Sequence, residues 1–167
     1  MADKGDGQVA AQVDRELASK EAPEVARKRW MGVLARADED ATEELWAALG
    51  RTDAYTVIRG PEQGLVMVRG RAGGTGRAFN LGEMTLTRCT VRLAGGAVGH
   101  GYVCGRRPEH AERAALIDAL MQLEDECQVV DAQIIGPLET VEEKRRASRS
   151  CKSAATKVDF FTMVRSE

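Results

Sequence analysis

The chain has 167 residues, 43% of them apolar and 30% charged, with a formal net charge of −2. That length and balance fit one soluble globular domain. Aromatic residues make up only 4% and the pI is about 5.8, which argues against base-stacking or broadly electrostatic nucleic-acid binding.

No apolar run reaches the length of a membrane span, and the first twenty residues lack the basic start and apolar core of a secretory signal. The expected location is the cytoplasm. Cys89, Cys104, Cys127 and Cys151 form no C-x-x-C pair, so reduced, partly buried thiols are expected. No His/Asp/Glu cluster has metal-ligand spacing, and the expectation is no metal.

Residues 1–21 read as a polar, mobile segment with a weak helical pattern over 9–19. A single domain is expected over 22–167. A helix is predicted over 22–37, opened by Pro23 and striped by Ala26, Trp30, Val33, Leu34 and Ala37. A second helix over 42–49 has Asp40 and Glu43 at capping-box spacing and Gly50 as its stop. Trp30 and Trp46 read as core or interface anchors.

The period then changes. Strands are predicted over 54–59 and 64–70, separated by Gly60-Pro61-Glu62-Gln63, with a loop over 71–81. A long strand over 82–93 carries Met84 and Leu86 on one face but Cys89, Val91 and Leu93 on the other. A bulge near Thr87 and Arg88 is the economical account. Gly95-Gly96 marks a hairpin and 97–104 the return strand.

A helix over 108–126 starts at Pro108, with Ala115, Leu116, Leu120 and Leu123 on its apolar face. Residues 129–135 read as a short strand or an extension of that helix, and Gly136-Pro137 as a break. A polar helix over 138–157 carries Arg145, Arg149 and Lys152 on one face, which reads as solvated. An apolar strand over 158–164 closes the chain. The fold class is α+β, a central antiparallel sheet with helices before and after it.

From Arg59 to Arg107 there are eight arginines, no lysine and two acids, a local net charge of +6. Arginine without lysine suits bidentate recognition of phosphate or carboxylate. The candidate anion site is Arg69, Arg71, Gly73, Gly74, Gly76 and Arg77, with Arg88 nearby, the glycines allowing close backbone approach. The alternative is a solvated hairpin loop. The loop is neither a P-loop nor a dinucleotide fingerprint, because no Gly-Lys-Ser/Thr and no helix follow it. His100, between Gly99 and Gly101, is a weak catalytic candidate, while the more common case is a strand histidine bonded to a neighbour. His110 reads as a surface residue. No nucleophile–base arrangement is evident.

The segments RKRWMGVLARA (27–37), GLVMVRGRAGGTGRAFNLGEMTLTRCTVRL (64–93), GHGYVCGR (99–106) and AATKVDFFTMVR (154–165) closely resemble the PhnG family of bacterial carbon–phosphorus lyase subunits. The resemblance covers residues 25–165. It implies a role in phosphonate catabolism under phosphate limitation. The implied reaction replaces the adenine of ATP with a phosphonate, giving alpha-D-ribose 1-methylphosphonate 5-triphosphate. It implies PhnH, PhnI and PhnJ as partners in a two-fold core complex, and PhnL as a functional partner. It supplies no catalytic residue and no cofactor on this chain; ATP and phosphonate are substrates of the complex. Self-pairing, by exchange of the last strand, is the related expectation.

Overall fold

The computed structural model describes residues 23–156. The helical pattern expected over 9–19 and the terminal strand over 158–164 lie outside the described residues. The elements are α1 (23–34), α2 (Glu39–Leu49), β1 (Tyr55–Arg71), β2 (Ala78–Leu93), β3 (Val98–Cys104), α3 (Pro108–Leu120), α4 (Glu124–Val130) and α5 (Gly136–Ala155). The strands form one antiparallel sheet in the order β1-β2-β3. Helices precede and follow it, as the α+β reading requires.

One side of the sheet is the core side. Cys89, Val91 and Leu93 of β2 and Val103 of β3 point to α3, which buries Ala111, Ala114, Ala115, Ile117, Ala119 and Leu120. The contact is close because two residues of β3 have no side chain. A Cβ on Gly101 would stand 1.9 Å from the Ala111 carbonyl oxygen, and one on Gly99 2.0 Å from that of Ala115. Small residues on both elements let the backbones meet. Trp30, Val33 and Leu34 of α1, Trp46 of α2 and Val130, Ile134, Ile135 and Leu138 complete the core. Both tryptophans are core anchors, as expected.

Asp118 ties these layers together. It is fully buried on α3. Its Oδ1 accepts from Trp30 Nε1 at 2.9 Å and Arg27 Nε at 3.1 Å, and its Oδ2 from Arg27 Nη2 at 2.7 Å and the His100 backbone N–H at 2.8 Å. A buried carboxylate is tolerable because donors surround it. It also caps the free edge of β3.

Several local expectations are corrected. Residues 55–71 are one strand, not two. Its register slips between Val57 and Arg59 and between Arg59 and Glu62, and these bulges carry the chain through Gly60-Pro61. Proline is tolerated because β1 is an edge strand. Strand β2 begins at Ala78, inside the expected loop, since pairing with β1 overrides the weak strand propensity of Asn80 and Gly82. No bulge occurs at Thr87–Arg88, where the β2–β3 register is continuous. The slip in β2 is at Leu81, between the Val68 and Arg69 pairs. Met84 and Leu86 simply lie on the face away from the helices.

The α2 cap is Asp38, whose side chain accepts from the Ala41 N–H at 3.4 Å, rather than Asp40. The helix expected over 108–126 stops at Leu120, and Leu123 is extended before α4. Residues 129–135 are helical. A π-helical turn at Asp131–Ile135 leads into α5, the Gly136 N–H donating to the Asp131 carbonyl. The wider turn relieves the clash that Pro137 would make with the preceding carbonyls, so Gly136-Pro137 does not break the chain.

Candidate functional site

The hairpin of β1 and β2 extends beyond the helices. From Leu65–Thr85 outward to Arg71–Ala78 the two strands pair only with each other. Seven residues at about 3.3 Å each make an arm roughly 23 Å long. Residues 71–83 are exposed, apart from a half-buried Gly76.

The tip holds most of the expected anion site. Ala72–Gly74 form a single 3₁₀ turn, with Gly73 at φ 59° and Gly74 at φ 82°, values that favour glycine. The Gly76 N–H donates to the Ala72 carbonyl at 2.8 Å, and a Cβ there would lie 2.7 Å from that oxygen. Arg71 Nη1 donates to the Gly76 carbonyl at 3.2 Å. Arg69, Arg71 and Arg77 thus share the tip, and no acid among the described residues forms a salt bridge with them.

Arg88 is not part of this group. It lies ten residues along β2 from Ala78, about 30 Å of strand, opposite Glu62 and Tyr102. Its Nε and Nη2 donate to Glu62 Oε2 at 3.1 and 3.0 Å, and Arg59 stands 3.9 Å from the same carboxylate. His100 is a near neighbour. It pairs with Thr90 across the sheet, Thr90 Oγ1 and His100 Nδ1 being 3.2 Å apart. No described carboxylate bonds its ring, so it lacks the orienting acid of a catalytic dyad. Arg92 follows on the same face, opposite Val98.

This outer face is the side of the sheet opposite α3. Pairing register assigns it Arg59, Glu62, Arg88, Thr90, Arg92, His100 and Tyr102 near the body. Val66, Val68, Phe79, Met84 and Leu86 follow along the arm, and Leu81 meets Phe79 over Gly70. The face changes from charged to apolar along its length. Val66, Phe79 and Leu81 are 40%, 46% and 65% exposed.

The helical body carries features that the sequence did not flag. His110 is buried, with neither ring nitrogen bonded, and burial followed by the nearby Arg107 lowers its pKa to about 4. The surface expectation for His110 is therefore wrong: α2 and the start of α3 close over it. It borders a cavity of about 360 Å³ lined by Glu39, Asp40, Glu43 and Arg113. Asp118 is the second such residue. Its signal was present, an acid inside the apolar run Ala114–Leu120.

Arg145 and Arg149 both pair with Glu142, as does Arg36 of α1, so one carboxylate of α5 gathers three guanidinium groups. The Arg51 guanidinium is held above its ordinary pKa by Asp53 and Glu126. All four cysteines are free: Cys89 is buried, Cys104 and Cys127 half-buried and Cys151 exposed. Burial raises the Cys89 thiol pKa. No described helix is long and apolar enough to cross a membrane.

Comparison with known proteins finds relatives of the whole chain. A family model described as "Phosphonate metabolism protein PhnG" matches residues 25–166. A protein of Rhizobium meliloti (strain 1021) is 43% identical over 158 residues, covering 93% of this chain and 99% of its own. It is named "Alpha-D-ribose 1-methylphosphonate 5-triphosphate synthase subunit PhnG".

Proposed function

This chain belongs to the PhnG family of phosphonate metabolism proteins, and on that premise we propose that it is a cytoplasmic, non-autonomous subunit of a phosphonate ribosyl-triphosphate synthase. The complex replaces the adenine of ATP with a phosphonate, giving alpha-D-ribose 1-methylphosphonate 5-triphosphate. The C–N bond at the ribose breaks, a C–O bond to the phosphonate forms, and adenine leaves. Its partners in this reading are PhnH, PhnI and PhnJ in a two-fold core complex, with PhnL as a functional partner and self-pairing of this chain within it.

The chemistry defines what such a subunit has to offer. A triphosphate and a phosphonate are both anionic, and bringing them together without cations is electrostatically costly. Fixed arginines lower that cost and orient phosphoryl oxygens bidentately. The observation that carries the reading is the lysine-free basic outer face, Arg88 and Arg92 beside His100, with Glu62 against Arg88. We assign the polyanion contribution to that face, where Glu62 holds Arg88 until an anion displaces it. The tip arginines 69, 71 and 77 form a second, separate basic group.

A second reading, a purely structural subunit without substrate contact, is favoured by the apolar arm. Both are tested by adenine release from ATP plus methylphosphonate in the reconstituted complex, with and without this chain, alongside the size of the assembly. Phosphonate-dependent adenine release that disappears without this chain, while the other subunits still assemble, supports substrate handling. Arg88→Ala with Arg92→Ala is then expected to raise the KM for a substrate about tenfold or more, the loss of one or two charge-assisted hydrogen bonds. Unchanged turnover and KM in that variant, and in Arg71→Ala with Arg77→Ala, refutes an anion role. Collapse of the assembly without the chain supports the structural reading.

A further inference from the structure

We infer that the outer face of the β1–β2 arm is a docking strip for a different subunit of the synthase. That subunit would present an apolar surface to the strip and carboxylates that reach round the arm tip to Arg69 and Arg71, which the pairing register sets on the opposite face with Leu65 and Met67. The inference rests on the reading of this chain as a subunit. It goes further in naming the element that docks, the face it uses and the charge of its partner.

The arm is not built to stand in water. Val66, Val68, Phe79, Leu81, Met84 and Leu86 form a strip with no charged residue, on strands that leave the helical core behind. Outward of Leu86 both strands are edges, and they contain neither lysine nor proline. Natural edge strands normally carry such residues to block association. Exposed apolar strands with unguarded edges are the signature of a surface that is covered in the working state.

Charge selects the occupant. Arg69–Arg77 holds three arginines and no acid, and no described acid of this chain pairs with them. Arms from two copies laid parallel would oppose these arginines to each other, and laid antiparallel would bring them towards Arg59, Arg88 and Arg92 at the base of the other copy's face. The apolar groove on the body, lined by Met31, Gly32, Ala35 and Tyr102, is flanked by Arg27 and Lys28 as well as Glu24, so it too is a poor receptor for a basic tip. A partner of opposite charge is required, hence another polypeptide with an apolar floor and acidic residues at its far end.

Size indicates how far the contact extends. A ribbon about 23 Å long and roughly 10 Å wide offers about 230 Å² on one face. A standard interface buries about 800 Å² on each partner. The contact therefore continues from the arm onto the adjoining face with Tyr102, Arg88 and His100. That places the arginines of the proposed anion site at a boundary between two subunits.

The test uses the full chain co-expressed with the other subunits, with retention of each variant measured after affinity capture of a partner. Val66→Asp with Leu81→Asp charges the strip and is expected to cut retention at least about tenfold, because the partner would have to bury unpaired carboxylates. Leu65→Asp lies on the opposite face and is expected to be retained like wild type. Replacing Arg69, Arg71 and Arg77 by Glu is expected to reduce retention and to weaken its dependence on salt. Each isolated variant should keep the wild-type circular dichroism and melting midpoint, since these residues lie outside the core.

Full retention of the Val66→Asp, Leu81→Asp variant overturns the inference while leaving subunit membership intact. Equal loss with Leu65→Asp overturns one-sided docking. A wild-type homodimer that the strip variant dissociates makes a second copy the occupant and also overturns it. If the wild-type chain is not retained at all, the subunit reading fails, and this inference with it.

Discussion

The Gly101–Ala111 contact gives the sharpest stability prediction. In Gly101→Ala the new Cβ would stand 1.9 Å from the Ala111 carbonyl oxygen, 2.9 Å from the Ala111 carbonyl carbon and 3.0 Å from the Ala115 nitrogen. These are backbone atoms of a helix buried against the sheet, so no side chain can swing aside. Restoring ordinary contact requires α3 to move by about 1 Å or more, which also stretches the 2.8 Å bond from the His100 N–H to Asp118. Overpacking of a core costs about 1–3 kcal/mol. With backbone on one side and a buried carboxylate on the other, we expect about 3–4 kcal/mol. That is a large share of the 5–15 kcal/mol typical of a domain. The assay is urea unfolding followed by tryptophan fluorescence, since Trp30 and Trp46 are both buried. Gly82→Ala is the control: nothing lies within 4 Å of its Cβ, and its effect should stay within about 1 kcal/mol. Equal midpoints for the two variants would refute the close helix-on-strand packing.

Asp118→Ala leaves the Trp30 indole N–H, the His100 amide and Arg27 without their acceptor, and should cost about 3 kcal/mol in urea unfolding; a loss below about 1 kcal/mol would count against the network. His110 makes stability pH-dependent. Its folded pKa, about 4, lies below the ordinary 6.5, so as pH falls below about 6.5 the unfolded chain takes up a proton that the folded chain refuses. Its contribution is present above pH 6.5, is lost progressively towards pH 4, and amounts to roughly 3 kcal/mol at most. His110→Leu should flatten that part of the stability–pH curve, and an unchanged slope would show that other groups set it.

Much of the fold was readable because its signals are local. Pro108 and Glu109 start α3, Gly95-Gly96 makes the β2–β3 turn, and the apolar stripe of α1 has helical spacing. The errors fall where a longer-range effect competes with a local one. Gly60-Pro61 reads as a turn, but a bulged edge strand absorbs it because β2 supplies the pairing. Gly136-Pro137 reads as a break, but a π-turn absorbs it. Met84 and Leu86 read as a phase error only if every apolar residue must face the core. The candidate site was half legible. Composition showed an arginine-only window, yet spacing could not show that Arg88 lies on the sheet face while Arg69, Arg71 and Arg77 lie at the tip. His110 was misread because a helix start is usually exposed, and nothing local reveals that α2 packs over it.

The arm and the body obey different requirements, and that division says where function resides. In the body, apart from His110, the polar groups that tie the layers together are satisfied from within: buried Asp118 by Arg27, Trp30 and His100, and half-buried Glu142 by three arginines. In the arm the apolar strip is uncovered and the arginines lack counter-charges among the described residues. A chain under selection for its own stability alone would shorten such a hairpin or place lysines on its edges. Keeping it long, apolar and edge-open raises the risk of aggregation, and the compensation has to come from a surface outside the body. The outer-face arginines and His100 sit where the arm joins the body, so whatever covers the arm also encloses them. Under the proposed anion role, enclosure would remove water and strengthen their hold on a polyanion, and substrate contact would depend on assembly. A subunit built this way gains its binding strength only inside the complex, so the isolated chain should bind triphosphate much more weakly than the assembly does.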